Sequence, residues 1–226
     1  MIKKTIKYLL YFLILITVGV FYLSYFGFET KRFNQLIKNK ISETTKKIDI
    51  ELQEVNIVLD LSNFSVALKT YDSNIIFKDK KIKLKRIKTN FSIGSFFKKE
   101  FAIKDVFITT KENNFNDIIR LARIYQNTPQ LYIFNKMVNE GVLIADIALN
   151  FDDKGKLTKN YNIKGSVRDG IIRLFNKKKI NNVSFNFNLK DRKYLLENIQ
   201  IEYEKLKLSS KKIEVNDKGK HFLFEG

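Results

Sequence analysis

Between Tyr8 and Phe28 the chain carries no charged residue, and apolar side chains point in every helical direction. A stretch apolar on all faces predicts a membrane-crossing helix, about 31 Å long at 1.5 Å per residue, close to the hydrocarbon thickness of a bilayer. Tyr8 and Tyr11 stand near one end, and Tyr22 and Tyr25 near the other, as interfacial aromatic belts require. Lys3, Lys4 and Lys7 could form the basic region of a signal peptide. The apolar run is long for one, however, and Val20, Tyr22 and Tyr25 crowd the positions where small residues would mark cleavage.

Beyond this stretch, Phe33, Leu36, Ile37 and Ile41 keep helical spacing, which predicts an amphipathic helix over 30–46. The period then drops to two. Ile48, Ile50 and Leu52 alternate with polar residues, and Val55, Ile57, Leu59 and Leu61 resume after a slip. Phe64, Val66 and Leu68 follow a second slip. Slips at 53–54 and 62–63 predict bulges or tight turns between short strands. Lys81, Lys83 and Lys85 alternate with Ile82 and Leu84, so one face of that strand is wet and the other covered.

Residues 114–126 interrupt the β pattern. Ile118, Ile119, Leu121, Ala122 and Tyr125 fit a helix capped by Asn114 or Asn116 and ended by Thr128-Pro129. A short apolar piece, Leu131-Tyr132-Ile133, leads to a polar turn through Asn139-Glu140-Gly141. From Val142 the chain reads as β to its end, with Val142, Ile144, Ile147 and Leu149 as one apolar set and Asp169-Gly170 as a hairpin turn. Val183, Phe185, Phe187 and Leu189 alternate cleanly with Ser184, Asn186, Asn188 and Lys190. Ile199, Ile201 and Tyr203 continue in the same manner.

Asp153-Lys154-Gly155-Lys156 recurs as Asp217-Lys218-Gly219-Lys220. The repeat suggests stacked β units, and the chain stopping inside the second copy suggests a longer protein. The expected organisation is a membrane anchor over 1–29, an amphipathic linker helix over 30–47, a β region with a helix over 48–128, and a β repeat region over 129–226. The fold class expected is mainly β: a curved antiparallel sheet, taco-like or repeat-built, with an apolar inner face.

The 226 residues carry a formal net charge of +18. An acidic partner would be one explanation. The excess is Lys with only seven Arg, and Asn, Ile and Phe are also over-used, so the composition of an AT-rich coding sequence explains it more simply. Nucleic acid is not expected, since readers of bases and phosphates favour Arg. The absence of Cys excludes disulfides and zinc–thiolate sites. His221 is the only His, so no Ser/His/Asp constellation can be assembled. Asp152-Asp153 is a turn signal before it is a carboxylate pair. No phosphate-binding glycine loop is present. Neither an enzyme nor a cofactor or metal site is expected.

Three stretches resemble the AsmA family of bridge-like lipid-transfer proteins. They are the anchor with Phe33-Asn34-Gln35-Leu36-Ile37 through Ile41-Ser42-Glu43-Thr44-Thr45 and Ile48-Asp49-Ile50; Asn139-Glu140-Gly141-Val142-Leu143-Ile144; and Ile163-Lys164-Gly165-Ser166-Val167-Arg168-Asp169-Gly170-Ile171-Ile172. The resemblance implies a bacterial inner-membrane anchor, a β region in the periplasm, and a taco-shaped sheet that conducts phospholipid toward the outer membrane. Flanking charges do not set the orientation: Lys31, Arg32, Lys38, Lys40, Lys46 and Lys47 follow the helix. Alternation and resemblance together nominate Val183, Phe185, Phe187, Leu189, Ile199, Ile201 and Tyr203 as the lipid-contacting face. The expected partners are membrane phospholipids and, second, envelope proteins. The competing expectation is a structural or adaptor module for envelope assembly, with a closed β-sandwich core.

Overall fold

A computed structural model describes residues 2–31, 34–35, 38–39, 47–61, 65–92, 103–125, 127–152, 158, 160–174, 178–191, 193–217 and 222–225. Helix α1 spans Ile2–Tyr25. Within its segment Lys4–Tyr25 an 18-residue window reaches a mean hydropathy of 2.1 with none of it buried, so the segment is long and apolar enough to cross a membrane. The helix ends three residues before the expected Phe28. Gly27, at φ 70°, turns the chain out of it, and Phe28 already belongs to strand β1 (Phe28–Thr30). Gly27 is required there, because a Cβ would run into Asn56 Oδ1 and the Ile57 carbonyl. Of the linker helix expected over 30–46, Thr30 instead ends β1 and Lys31 is a bend; beyond them only 34–35 and 38–39 are described, and these are helical.

Strands β2 (Asp49–Glu51), β3 (Val55–Asp60), β4 (Ser65–Tyr71), β5 (Asn74–Phe77), β6 (Lys80–Ser92), β7 (Ile103–Thr110) and β8 (Asn113–Asn114) precede two helices, α2 (Phe115–Tyr125) and α3 (Pro129–Met137). Strands β9 (Val138–Asn150), β10 (Asn162–Arg173), β11 (Lys179–Lys190), β12 (Lys193–Tyr203), β13 (Leu206–Asp217) and β14 (Phe222–Glu225) follow them. All join one 14-stranded sheet in the order β1-β3-β4-β6-β7-β9-β10-β11-β12-β13-β14, with β2, β5 and β8 beside this path. Every pairing among the described strands is antiparallel. The sheet is open, and it is mainly β as expected. The closed sandwich of the competing expectation is not formed, because the described strands make one sheet and not two facing ones.

The strands bend along a line that crosses the sheet. Residues 52–54 separate β2 from β3, opposite the 72–73 break between β4 and β5. That break faces the register shift between Leu84 and Arg86 on β6, which in turn faces 111–112 between β7 and β8. Across the last gap, the buried Asn113 side chain replaces the missing ladder bonds. It accepts from the Lys83 N–H at 2.7 Å and donates to the Lys83 carbonyl at 2.9 Å. Further on, left-handed residues mark the line: Asp169 (φ 52°) on β10, Asn182 (φ 51°) on β11 and Asn198 (φ 53°) on β12. Asp and Asn tolerate this conformation best among residues with a Cβ, and each bulge bends its strand.

Three sequence expectations are corrected here. Asp169-Gly170 is a bulge inside β10, not a hairpin, and the Asp169 N–H is taken by Ser184 Oγ on the next strand. Turn and bulge demand the same residues. Thr128-Pro129 does not simply end α2 but begins α3: Thr128 Oγ1 accepts from the Leu131 N–H at 3.2 Å, and Pro129 sits in the first turn where a missing N–H costs nothing. Asn139-Glu140-Gly141 is part of β9, not a turn. On α2, Asn114 is the cap, its Oδ1 accepting from Asn116 N at 2.9 Å and Asp117 N at 3.3 Å. Asn116 is buried instead and ties α2 to α3, donating to the Asn135 and Val138 carbonyls.

The repeat DKGK, the slip at 62–63 and His221 lie outside the described residues, apart from Asp217 at the end of β13.

Candidate functional site

Cross-strand partners share a face of the sheet, so register decides which side chains line a common surface. Leu143, Val167 and Phe185 face one another across β9, β10 and β11. The next row is Ala145, Gly165, Phe187 and Leu196, and the one after is Ile147, Ile163, Leu189 and Tyr194. Beyond β12 the rows continue to Ile213 and Val215. On the other side of the bend, Ile201 pairs with Leu208, and Tyr203 with both Ile180 and Leu206. This inner face is apolar. The outer rows read Asp146, Lys164, Asn188 and Ile144, Ser166, Asn186, Glu197.

All seven nominated residues lie on the inner face. Val183 to Leu189 do so by strict alternation. Tyr194 and Leu196 are followed by Ile199, Ile201 and Tyr203, one residue out of phase, and the left-handed Asn198 absorbs the slip. On β9, however, the face is Leu143, Ala145 and Ile147, whereas Val142 and Ile144 pair with Arg168 and Ser166 on the outside. The run of four small or apolar residues at 142–145 carries no alternation from which to choose.

Cover over this face is uneven. Helices α2 and α3 close it over β9–β11: Phe115, Ile119, Val138, Leu143, Ala145 and Val167 form a buried cluster against which Leu131, Phe185 and Phe187 pack. On its other flank α2 applies Leu121 and Ile124 to a second cluster of Ile48, Phe77, Ile82 and Leu84. Among the described residues the cover stops past the helices. Val183 is 4% exposed, Ile199, Ile201 and Tyr203 are half-buried, and Leu208 and Leu206 reach 50% and 64%. Sequence reasoning did not nominate Leu206 and Leu208; register with Tyr203 and Ile201 is the signal that includes them.

Phe185 and Phe187 stand with ring centroids 6.2 Å apart and planes tilted by 59°. At one lip, Lys178 Nζ lies 5.4 Å from the centre of the Tyr203 ring and 2.9 Å from Glu204 Oε1. Tyr203 and then Glu204 hold the Lys178 ammonium above its ordinary titration range. A shallow recess of about 390 Å³ lies on the outer face around Asp146, Lys164, Asn186 and Glu197. Among the described residues no group of three or more His, Asp or Glu is placed to hold a metal ion. Among the described residues the inner face offers mainly apolar contact.

No protein-family model matches this sequence, and no curated protein matches it.

Proposed function

We propose that the chain is a single-pass membrane protein whose inner sheet face holds the acyl chains of phospholipid, as the resemblance to AsmA-like proteins implies. The anchor then sits in a bacterial inner membrane and the sheet in the periplasm, where the protein carries or stores lipid bound for the outer membrane. The observation that supports this reading most is the loss of cover from Val183 to Leu208 along one continuous apolar face. In water such a surface is unfavourable at about 25 cal/mol per Å², and an apolar occupant removes that cost. Acyl chains are the apolar matter nearest to a protein tethered in a bilayer.

The test is lipid retention by the purified full chain. Leu208→Asp with Ile201→Asp lowers the phospholipid recovered per protein. The outer-face pair Lys207→Asp with Gln200→Asp leaves it unchanged and corrects for lipid held around α1. Equal retention by both variants contradicts the proposal.

A further inference from the structure

The outer face carries a second feature that composition alone does not explain. One row across the sheet reads Glu29, Asn56, Lys69, Lys88 and Phe107. Lys69 and Lys88 are therefore directly opposite each other on β4 and β6, where like charges repel. Both are half-buried, and among the described residues neither makes an ion pair. Other basic residues of this face do: Lys81 with Glu51 at 2.6 Å, Lys111 with Asp72 at 2.7 Å and Arg168 with Glu112 at 2.5 Å. The adjoining row adds Tyr71 and Arg86. Tyr71 is 51% exposed and Phe107 40%, so two aromatic side chains flank the basic ones on the same surface.

Carboxylates also stand near this patch, but among the described residues none forms an ion pair with Lys69, Arg86 or Lys88. Asp72 is paired with Lys111, while Asp105 and Asp146 accept from Asn90 and Thr109, each at 2.8 Å, and keep their charge. Glu29 stands two strands from Lys69, about 10 Å away at the usual strand spacing. The patch also adjoins the anchor. Asn56, the neighbour of Lys69, donates from Nδ2 to the Phe26 carbonyl at 3.5 Å, directly after α1.

We propose that this face is a membrane-docking surface: Lys69, Arg86 and Lys88 contact anionic lipid headgroups of the leaflet from which α1 emerges, and Tyr71 and Phe107 rest at the interface. Basic residues held beside a membrane are attracted to an anionic leaflet within a Debye length, and aromatic residues favour the same depth. Docking would fix the tilt of the sheet on its anchor. The inference requires α1 to be in a membrane but does not depend on what the inner face binds.

The chain has no Cys, so single labels are simple to place. A fluorophore on Ala148→Cys, beside Phe107, is compared with one on Asn186→Cys, farther along the outer face. The full chain is reconstituted into vesicles carrying a headgroup quencher, made of phosphatidylcholine alone or with ~30% phosphatidylglycerol. Quenching at Ala148→Cys should be at least about twofold stronger in the anionic vesicles. The excess should vanish in about 1 M salt, where the Debye length falls to about 3 Å, and with Lys69→Gln/Lys88→Gln. Quenching at Asn186→Cys should not respond. Equal quenching in both vesicles, or an excess that salt leaves intact, overturns the proposal, and the salt arm decides even where the double variant folds poorly.

Discussion

Phe187 lies against Gly165 across the β10–β11 pair, so close that a Cβ on Gly165 would sit 2.8 Å from Phe187 Cζ. The same Cβ would also collide with the Ile144 carbonyl on β9. The glycine lets the ring lie down on the sheet, where it forms part of the inner face. Gly165→Val is expected to destabilise the chain by about 1–3 kcal/mol, the usual cost of overpacking, and to lower its urea midpoint. Gly165→Ala should cost less than Gly165→Val. A midpoint unchanged by Gly165→Val would show that the contact does not shape the sheet.

Asn113 makes a different kind of contact, standing in for backbone where β7 breaks from β8. Asn113→Ala removes the acceptor for the Lys83 N–H, at a cost of about 1 kcal/mol for the part-buried donor left unpaired. The Lys83 carbonyl keeps the Lys111 N–H. Hydrogen exchange should therefore accelerate at Lys83 before it does at neighbouring amides; uniform exchange would argue against the local role.

Asn198 sets the phase of β12. Asn198→Gly suits φ 53° and should leave stability within a few tenths of a kcal/mol. Asn198→Val should cost about 1–2 kcal/mol, since a β-branched residue resists the left-handed region. If the two substitutions have equal effect on thermal unfolding, the bulge is not fixed by residue 198.

Acid should weaken the sheet in a defined way. Hydrogen bonds from Lys38, Lys81 and Lys212 hold the carboxyl groups of Asp49, Glu51 and Glu214 below their ordinary values of 3.8, 4.5 and 4.5. A pKa lowered on folding contributes stability above the ordinary value and loses it as pH falls through the folded one. Glu51 is exposed and Asp49 and Glu214 are half-buried at the surface, so the effect is small. The melting temperature should fall between pH 6 and pH 3, and Lys81→Gln should reduce that fall. An identical fall in Lys81→Gln would mean that Glu51 contributes nothing.

Some of this was legible in the residues because the signal was redundant. The uniform apolarity from Tyr8 onward needed no context, and Val183 to Leu189 alternate without interruption. The helix at Phe115–Tyr125 announced itself by period and by Asn114. Other elements were hidden by ambiguity in the code itself. Asp169-Gly170 satisfies a turn and a bulge equally. The stretch from Val142 to Ala145 offers no alternation, so its inward set emerged only from pairing with Val167 and Gly165. The hairpin turns at Lys78 and Glu204 place long charged residues at φ 53° and 57°, where sequence rules expect Gly or Asn. The exposure of Leu206 and Leu208 depends on where α2 and α3 stop covering the sheet, which no local pattern encodes.

The central claim is that the inner face past the helices meets acyl chains. Photo-crosslinking residues placed in turn at Ile199, Gln200, Ile201, Glu202, Lys207 and Leu208 of the membrane-embedded chain test it position by position. The account predicts phospholipid adducts at 199, 201 and 208 and none at 200, 202 and 207. Adducts without that alternation, or none at any of the six, would contradict it.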